Sequence, residues 1–292
     1  MMHPAQQLDS LEKRAFLSFT AALSDHGVFA VTGSDSDDSI SIALSADGTK
    51  IQATDNDTNT VVGEAYLSAV HGIRIDAGAG NDTVNVDAAI TKPVGVLGGV
   101  GDDTLNVSAA GRNRVYGGDG NDTITTGAGR DFIDGGAGLD SINSGNGNDW
   151  VNGGDDNDTI TVGNGNDRVY GGAGDDVITG GVAGVGKLFA AGGDGNDVIT
   201  SEADMSFLYG QAGDDTITGS AGNDTIYGGD GTDSLDGGSG GTDSINEDDP
   251  PAPAHGHHGS CPGAGDSTAS STTGTSSSIT RLASVFSRRR IH

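Results

Sequence analysis

A unit of nine residues, Gly-Gly-x-Gly-x-Asp-x-apolar-x, repeats without a break from Gly117 to Thr179. Its copies start at Gly117, Thr126, Gly135, Ser144, Gly153, Val162 and Gly171. A period this strict leaves few folds open, because every unit repeats one turn and one short strand, and a single unit buries almost nothing. Stability has to come from stacking. The glycines adopt positive φ without steric cost and let backbone carbonyls approach whatever occupies the turn. The apolar residue two places after the aspartate (Ile124, Ile133, Ile142, Val151, Ile160, Val169, Ile178) is β-favouring and has polar neighbours. It therefore points inward from a short strand, and consecutive units face each other across a thin core.

Two units make one coil of eighteen residues, so units two apart stack on the same side. Asp122 then lies over Asp140, Asp158 and Asp176, and Asp131 over Asp149 and Asp167. At a strand spacing of about 4.8 Å, neighbouring charges repel by roughly 3–4 kcal/mol at an effective dielectric near 20. Turn formation alone explains Asp and Gly as residue types. It does not explain an aspartate fixed at one phase while other positions drift. Calcium takes hard oxygen ligands, carboxylates and backbone carbonyls among them, and a glycine-rich turn ending in Asp offers both. The array is therefore expected to bind several Ca2+ ions, to be largely unfolded without them, and to draw folding free energy from binding.

Composition narrows the partners. The 292 residues include 42 Asp+Glu against 14 Lys+Arg, a net charge of −28, which argues against nucleic acid. Cys261 is the single cysteine, so no internal disulfide framework exists. No apolar run approaches the roughly 20 residues of a membrane span. Motifs for catalysis (a His–Glu metalloprotease helix, a nucleophile elbow, a phosphate loop between strand and helix) are missing, so no enzyme activity is expected.

Four segments are expected. Residues 1–28 form a targeting-like segment, with Ala15–Leu23 after Lys13-Arg14 as a short apolar stretch. Residues 29–76 form an irregular β-rich cap with strands at Ser39–Ile42 and Gly72–Asp76, and Gly33–Ile40 reads as a worn copy of the repeat. The array spans 77–246, and 247–292 is a Pro/Gly/Ser/Thr-rich tail expected to be disordered. His255, His257, His258 and Cys261 lie in that tail, with no element to fix a metal geometry. Within the array, Val86–Leu97, Val107–Tyr116, Gly180–Ala191 and Ser201–Tyr209 break the pattern at about one unit's length each, so the coil should continue through them.

The two outward faces differ. One is Thr-rich: Thr123/Thr125, Ser141/Asn143, Thr159/Thr161. The other places Arg114, Phe132, Trp150 and Arg168 in a column, continued by Lys187 and Phe207, with Tyr116, Tyr170, Tyr209 and Tyr227 beside it. Two uses suggest themselves: mutual cover, with Arg168 over Trp150 as a cation–π pair, or a binding stripe for a cell-surface glycan or protein.

Gly117 to Thr125, Gly-Gly-Asp-Gly-Asn-Asp-Thr-Ile-Thr, and its copies resemble the hemolysin-type calcium-binding repeat of RTX proteins over roughly Ala77 to Asn246. The resemblance implies an all-β, right-handed parallel β-roll (β-solenoid) with calcium between successive same-side turns. It also implies a secreted or cell-surface protein that folds in extracellular calcium. Carried over residue by residue, the ligand aspartates are Asp82, Asp103, Asp122, Asp131, Asp140, Asp149, Asp158, Asp167, Asp176, Asp197, Asp215, Asp224, Asp233 and Asp243. Thr126, Ser144 and Val162 depart from the first glycine, and Asp156 from a turn glycine, which weakens the sites they border. Leu11–Ser18 resembles the LEPR-XLL-like N-terminal motif of large bacterial surface proteins.

Overall fold

The computed structural model describes residues 19–248, and these form strands and turns with no helix. They build two large sheets of 12 strands each. The aromatic sheet runs from Val28–Thr32 and Gly72–Ala79 through Arg114–Asp119, Phe132–Ala137, Trp150–Asp155 and Asn166–Ala173 to Ser244–Asn246. The threonine sheet runs from Ser39–Leu44 and Thr83–Val86 through Thr123–Thr126, Ser141–Asn143 and Thr159–Thr161 to Ser234–Asp236. The chain alternates between the sheets, and within each the successive coils pair in parallel, giving a β-solenoid of about 10 turns.

The period sets the register. Val115, Ile133, Val151 and Val169 align along one sheet, Ile124, Ile142, Ile160 and Ile178 along the other, and all are buried. Each inward side chain of this size contributes about 1.5–3 kcal/mol when buried. Only repetition makes the sum large enough to hold the fold.

The N-terminal end is closed differently. Thr20–Leu23 pairs antiparallel with Val28–Thr32, and Lys50–Asp55 pairs antiparallel with both Ser39–Leu44 and Thr60–Tyr66. Phe19, Phe29 and Ile51 are buried beneath these strands. The expected strands at Ser39–Ile42 and Gly72–Asp76 are present. The end of the segment read as targeting-like is a strand of this cap, because Phe19 and Thr20–Leu23 cover the first coil. Leu11–Ser18, His255, His257, His258 and Cys261 lie outside the described residues.

The interruptions do not break the coil. Across Gly180–Ala191 the chain takes three extra residues, with a small antiparallel bridge between Val182 and Val185, and rejoins the aromatic sheet at Lys187–Asp194. Asp176 accordingly meets Asp197 at a step of 21 residues, where its neighbours step by 18. Among the described residues no helix is long and apolar enough to cross a membrane.

Candidate metal centre

The turns that enter the threonine sheet form the first row. Asp38, Asp82, Asp103, Asp122, Asp140, Asp158, Asp176, Asp197, Asp215 and Asp233 follow one another along it without a gap. Each backbone N–H donates to Oδ1 of the aspartate one coil on, at 2.7–3.0 Å. One oxygen of each carboxylate is thereby spent on stacking the coils. The other is not: Oδ2 of Asp82, Asp103, Asp122, Asp140, Asp158, Asp176 and Asp197 is buried with no hydrogen-bond partner.

That oxygen faces a cradle kept open by glycine. A Cβ added to Gly117 would collide with both Asp122 Oδ2 and the carbonyl oxygen of Gly135. A Cβ on Gly135 would meet Asp140 Oδ2 and the Gly153 carbonyl in the same way. Carboxylate and carbonyl oxygens thus converge between coils. No group of three or more His, Cys, Asp or Glu side chains gathers at one point among the described residues, so main-chain oxygens have to complete any ligand set.

Electrostatics agrees. Burial lifts the Asp158 carboxyl to about 8, against the pull of the Asp140 amide, and the charges of Asp140, Asp176 and Asp156 add to the rise. Burial also lifts Asp82, Asp122 and Asp197 to about 7, Asp140 and Asp176 to about 6, and raises Asp103 and Asp233. A buried carboxylate without a partner is costly in its charged form. Each cradle therefore has to hold a proton or a cation at neutral pH, and its hard oxygens suit Ca2+.

The turns that enter the aromatic sheet form a second row, and it is broken. Asn113, Asp131, Asp149 and Asp167 are linked in the same manner at 2.9 Å. Leu188 then takes the aspartate's place opposite Asp167, and Ser206 follows it. Asp224 and Asp243 resume the row. Upstream the inward position belongs to Phe29, Ile73 and Val94. Thr126, Ser144 and Val162, which replace the first glycine, are buried in the space the first row leaves open. Oδ2 of Asp131, Asp149 and Asp243 is nonetheless buried without a partner. Burial raises Asp131 and Asp243 and lifts Asp149 to about 6 and Asp167 to about 7.

Two sites are filled by serine. Ser220 donates to Asp224 Oδ2 through its amide at 2.7 Å and its hydroxyl at 3.1 Å, and Ser34 does the same to Asp38 at 2.7 and 3.2 Å. Asp224, expected as a ligand, is thus already satisfied within the protein. Asp38 was not among the expected ligands, although Gly33, Asp38 and Ile40 keep the spacing of Gly117, Asp122 and Ile124.

The outward column of the aromatic sheet reads Arg114, Phe132, Trp150, Arg168, Phe189, Phe207. Lys187, expected in it, falls two residues earlier, between Asn166 and Met205, because of the extra residues before it. The rings of Tyr116, Phe132, Trp150, Tyr170, Phe189, Tyr209 and Tyr227 form a zigzag ladder with centroids 4.4–5.8 Å apart. Trp150 is stacked on Phe132 at 4.4 Å and tilted against Tyr170 at 5.6 Å. The expected Arg168–Trp150 pair therefore does not form. The cation–π contact among the described residues is Lys50 over Tyr66.

Fold and site together define a parallel β-roll whose nonapeptide turns present oxygen cradles to hard cations. The family model of the RTX calcium-binding nonapeptide repeat (four copies) matches residues 74–88, 107–142, 116–151, 125–160, 152–182, 189–204 and 209–242. The chain carries RTX repeats folded as a β-roll, and such repeats bind Ca2+, several ions per array. A search of curated proteins returned no match.

Proposed function

We propose that this chain is a non-catalytic, secreted or surface protein whose array folds when calcium enters the cradles between successive turns. The observation that carries the reading is the run of buried, unpartnered Oδ2 atoms from Asp82 to Asp197. Ligands in the first row are Asp82, Asp103, Asp122, Asp140, Asp158, Asp176, Asp197, Asp215 and Asp233, with glycine carbonyls of adjacent coils. In the second row they are Asp131, Asp149, Asp167 and Asp243. When bound, the ion supplies positive charge that lets the carboxylates ionise in place, and stacking then follows. Far-UV circular dichroism of the full chain during a calcium titration tests this. The expected result is a coil-like spectrum in excess chelator that converts cooperatively to β-structure. A chain already β-structured in chelator at pH 8 or above overturns the folding claim.

A second reading, an adhesive module whose calcium is structural, is supported by the aromatic-basic face around Phe132, Trp150 and Arg168.

A further inference from the structure

Where the second row breaks, a groove of about 490 Å³ opens on the outer surface of the aromatic sheet. Its walls follow from strand alternation. One carries Arg130, Asn148, Asn166 and Lys187, which precede the inward position of each coil; the other carries Trp150, Arg168 and Phe207, which follow it. Two positions along a strand are about 6.6 Å apart, so the groove admits one chain lying across successive coils.

Its floor includes the buried carboxylates of Asp149 and Asp167, and its rim carries cations. Arg130, Arg168 and Lys187 are exposed, and the ion pairs among the described residues, Lys50–Glu64 and Arg74–Asp76, involve none of them. In a chain of net charge −28, three exposed cations outnumber the two buried carboxylates of this groove, and calcium held by Asp149 and Asp167 would leave its rim positive, a local site for an anion that the remaining surface repels. Phe207 is 37% exposed and stands outside the ring ladder, so its face is open to the groove. The wall amides are half used: Asn166 donates through both N–H groups to Asn148 Oδ1, while Asn148 Nδ2 and Asn166 Oδ1 have no hydrogen bond among the described residues.

We propose that this groove binds an acidic oligosaccharide, a chain of uronate-type sugars. The cations take the carboxylates, Asn148 and Asn166 take hydroxyls, and Phe207 packs against the apolar face of a ring. An extended acidic peptide fits less well, because peptides read as strands need main-chain partners. Here the amides of Trp150, Arg168 and Lys187 already donate to carbonyls of the preceding coil at 2.9 Å. The proposal deepens the adhesive reading and requires the roll to be folded in calcium.

The test is calorimetric titration of the full chain, in saturating calcium, with hexagalacturonate, cellohexaose and a short poly-glutamate; circular dichroism of the same samples reports folding. The expected result is salt-sensitive binding of hexagalacturonate alone. It should weaken at least about tenfold in Arg168→Ala/Lys187→Ala and again in Arg130→Glu, with the calcium-induced spectrum unchanged. Because these side chains are exposed, a lost spectrum would indict the calcium reading and not the groove. Phe207→Ala should weaken hexagalacturonate binding too. No binding by a folded chain, undiminished binding by the double variant, or equal binding of poly-glutamate each overturns the proposal.

Discussion

Two rows of turns run along the same roll, are cut from the same nine-residue unit and hold their coils with the same amide-to-carboxylate bond. Yet one row keeps a carboxylate from Asp38 to Asp233, while the other surrenders the position to Phe29, Ile73, Val94, Leu188 and Ser206. The residue at the head of the turn also differs. The first row has Gly117, Gly135, Gly153 and Gly171; the second has Thr126, Ser144 and Val162. With glycine the turn stays hollow and the carboxylate waits for an ion; with a side chain it is partly filled. The comparison teaches that a solenoid edge has two currencies of cohesion, ion binding and hydrocarbon burial, and can change from one to the other within a single coil. Where Leu188 replaces aspartate it contributes about 1.5–3 kcal/mol at any calcium concentration.

The largest expected effect separates the rows directly. Asp140→Asn keeps an oxygen for the Asp122 amide but removes the charge, and should cost about 2–4 kcal/mol in saturating calcium; Asp149→Asn, at a partly filled turn, should cost about half as much. Urea unfolding at fixed free calcium checks both. Equal losses would break the distinction between the rows.

Acidity should act next in size. These carboxyls are raised in the folded coil, to between about 6 and about 8, above the ordinary 3.8, so the folded state without calcium holds more protons than the unfolded one. Its stability is therefore fully present below the ordinary value and is lost as pH rises through 6 to 8. In chelator, acidification toward pH 5 should restore β-structure, and the calcium needed for half-folding should fall as pH is lowered over the same interval. Dichroism at pH 5.5 and 7.5 reads both. A chain that stays unfolded in chelator at pH 5.5 would mean that burial does not hold protons on these carboxyls.

The smallest effect lies within the first row. Asp156 holds φ at 72° where the repeat has glycine, and its charge adds to the rise of Asp158. Asp156→Gly should stabilise the calcium-loaded roll by about 1 kcal/mol. A loss of stability would show that Asp156 itself assists the ion.

Much of this was legible in the repeat. Steps of nine placed Ile124 and Ile133 inward and stacked Asp122 on Asp140, because a strict period leaves no freedom in register. Counting failed where the period slipped. The extra residues around Val182–Val185 make the step irregular, and the sequence does not show by how much, so Lys187 reads as the column residue where Phe189 stands. Phe29, Ile73 and Val94 looked like ordinary strand residues, and nothing local says that they occupy an aspartate's place. The Trp150 contacts were missed for another reason: sequence assigns a residue to a column, but side-chain torsions decide whether it leans on Arg168 or diagonally on Tyr170.

The ring ladder has a consequence for observing the molecule. Trp150 is the single tryptophan, at the middle of the array, with Tyr170 5.6 Å away and Tyr116, Tyr209 and Tyr227 farther along the same line. These distances exist only when coils are in contact. Tyrosine emission feeding the indole therefore gauges how many coils are assembled around the centre, and the roll carries its own optical ruler without any label.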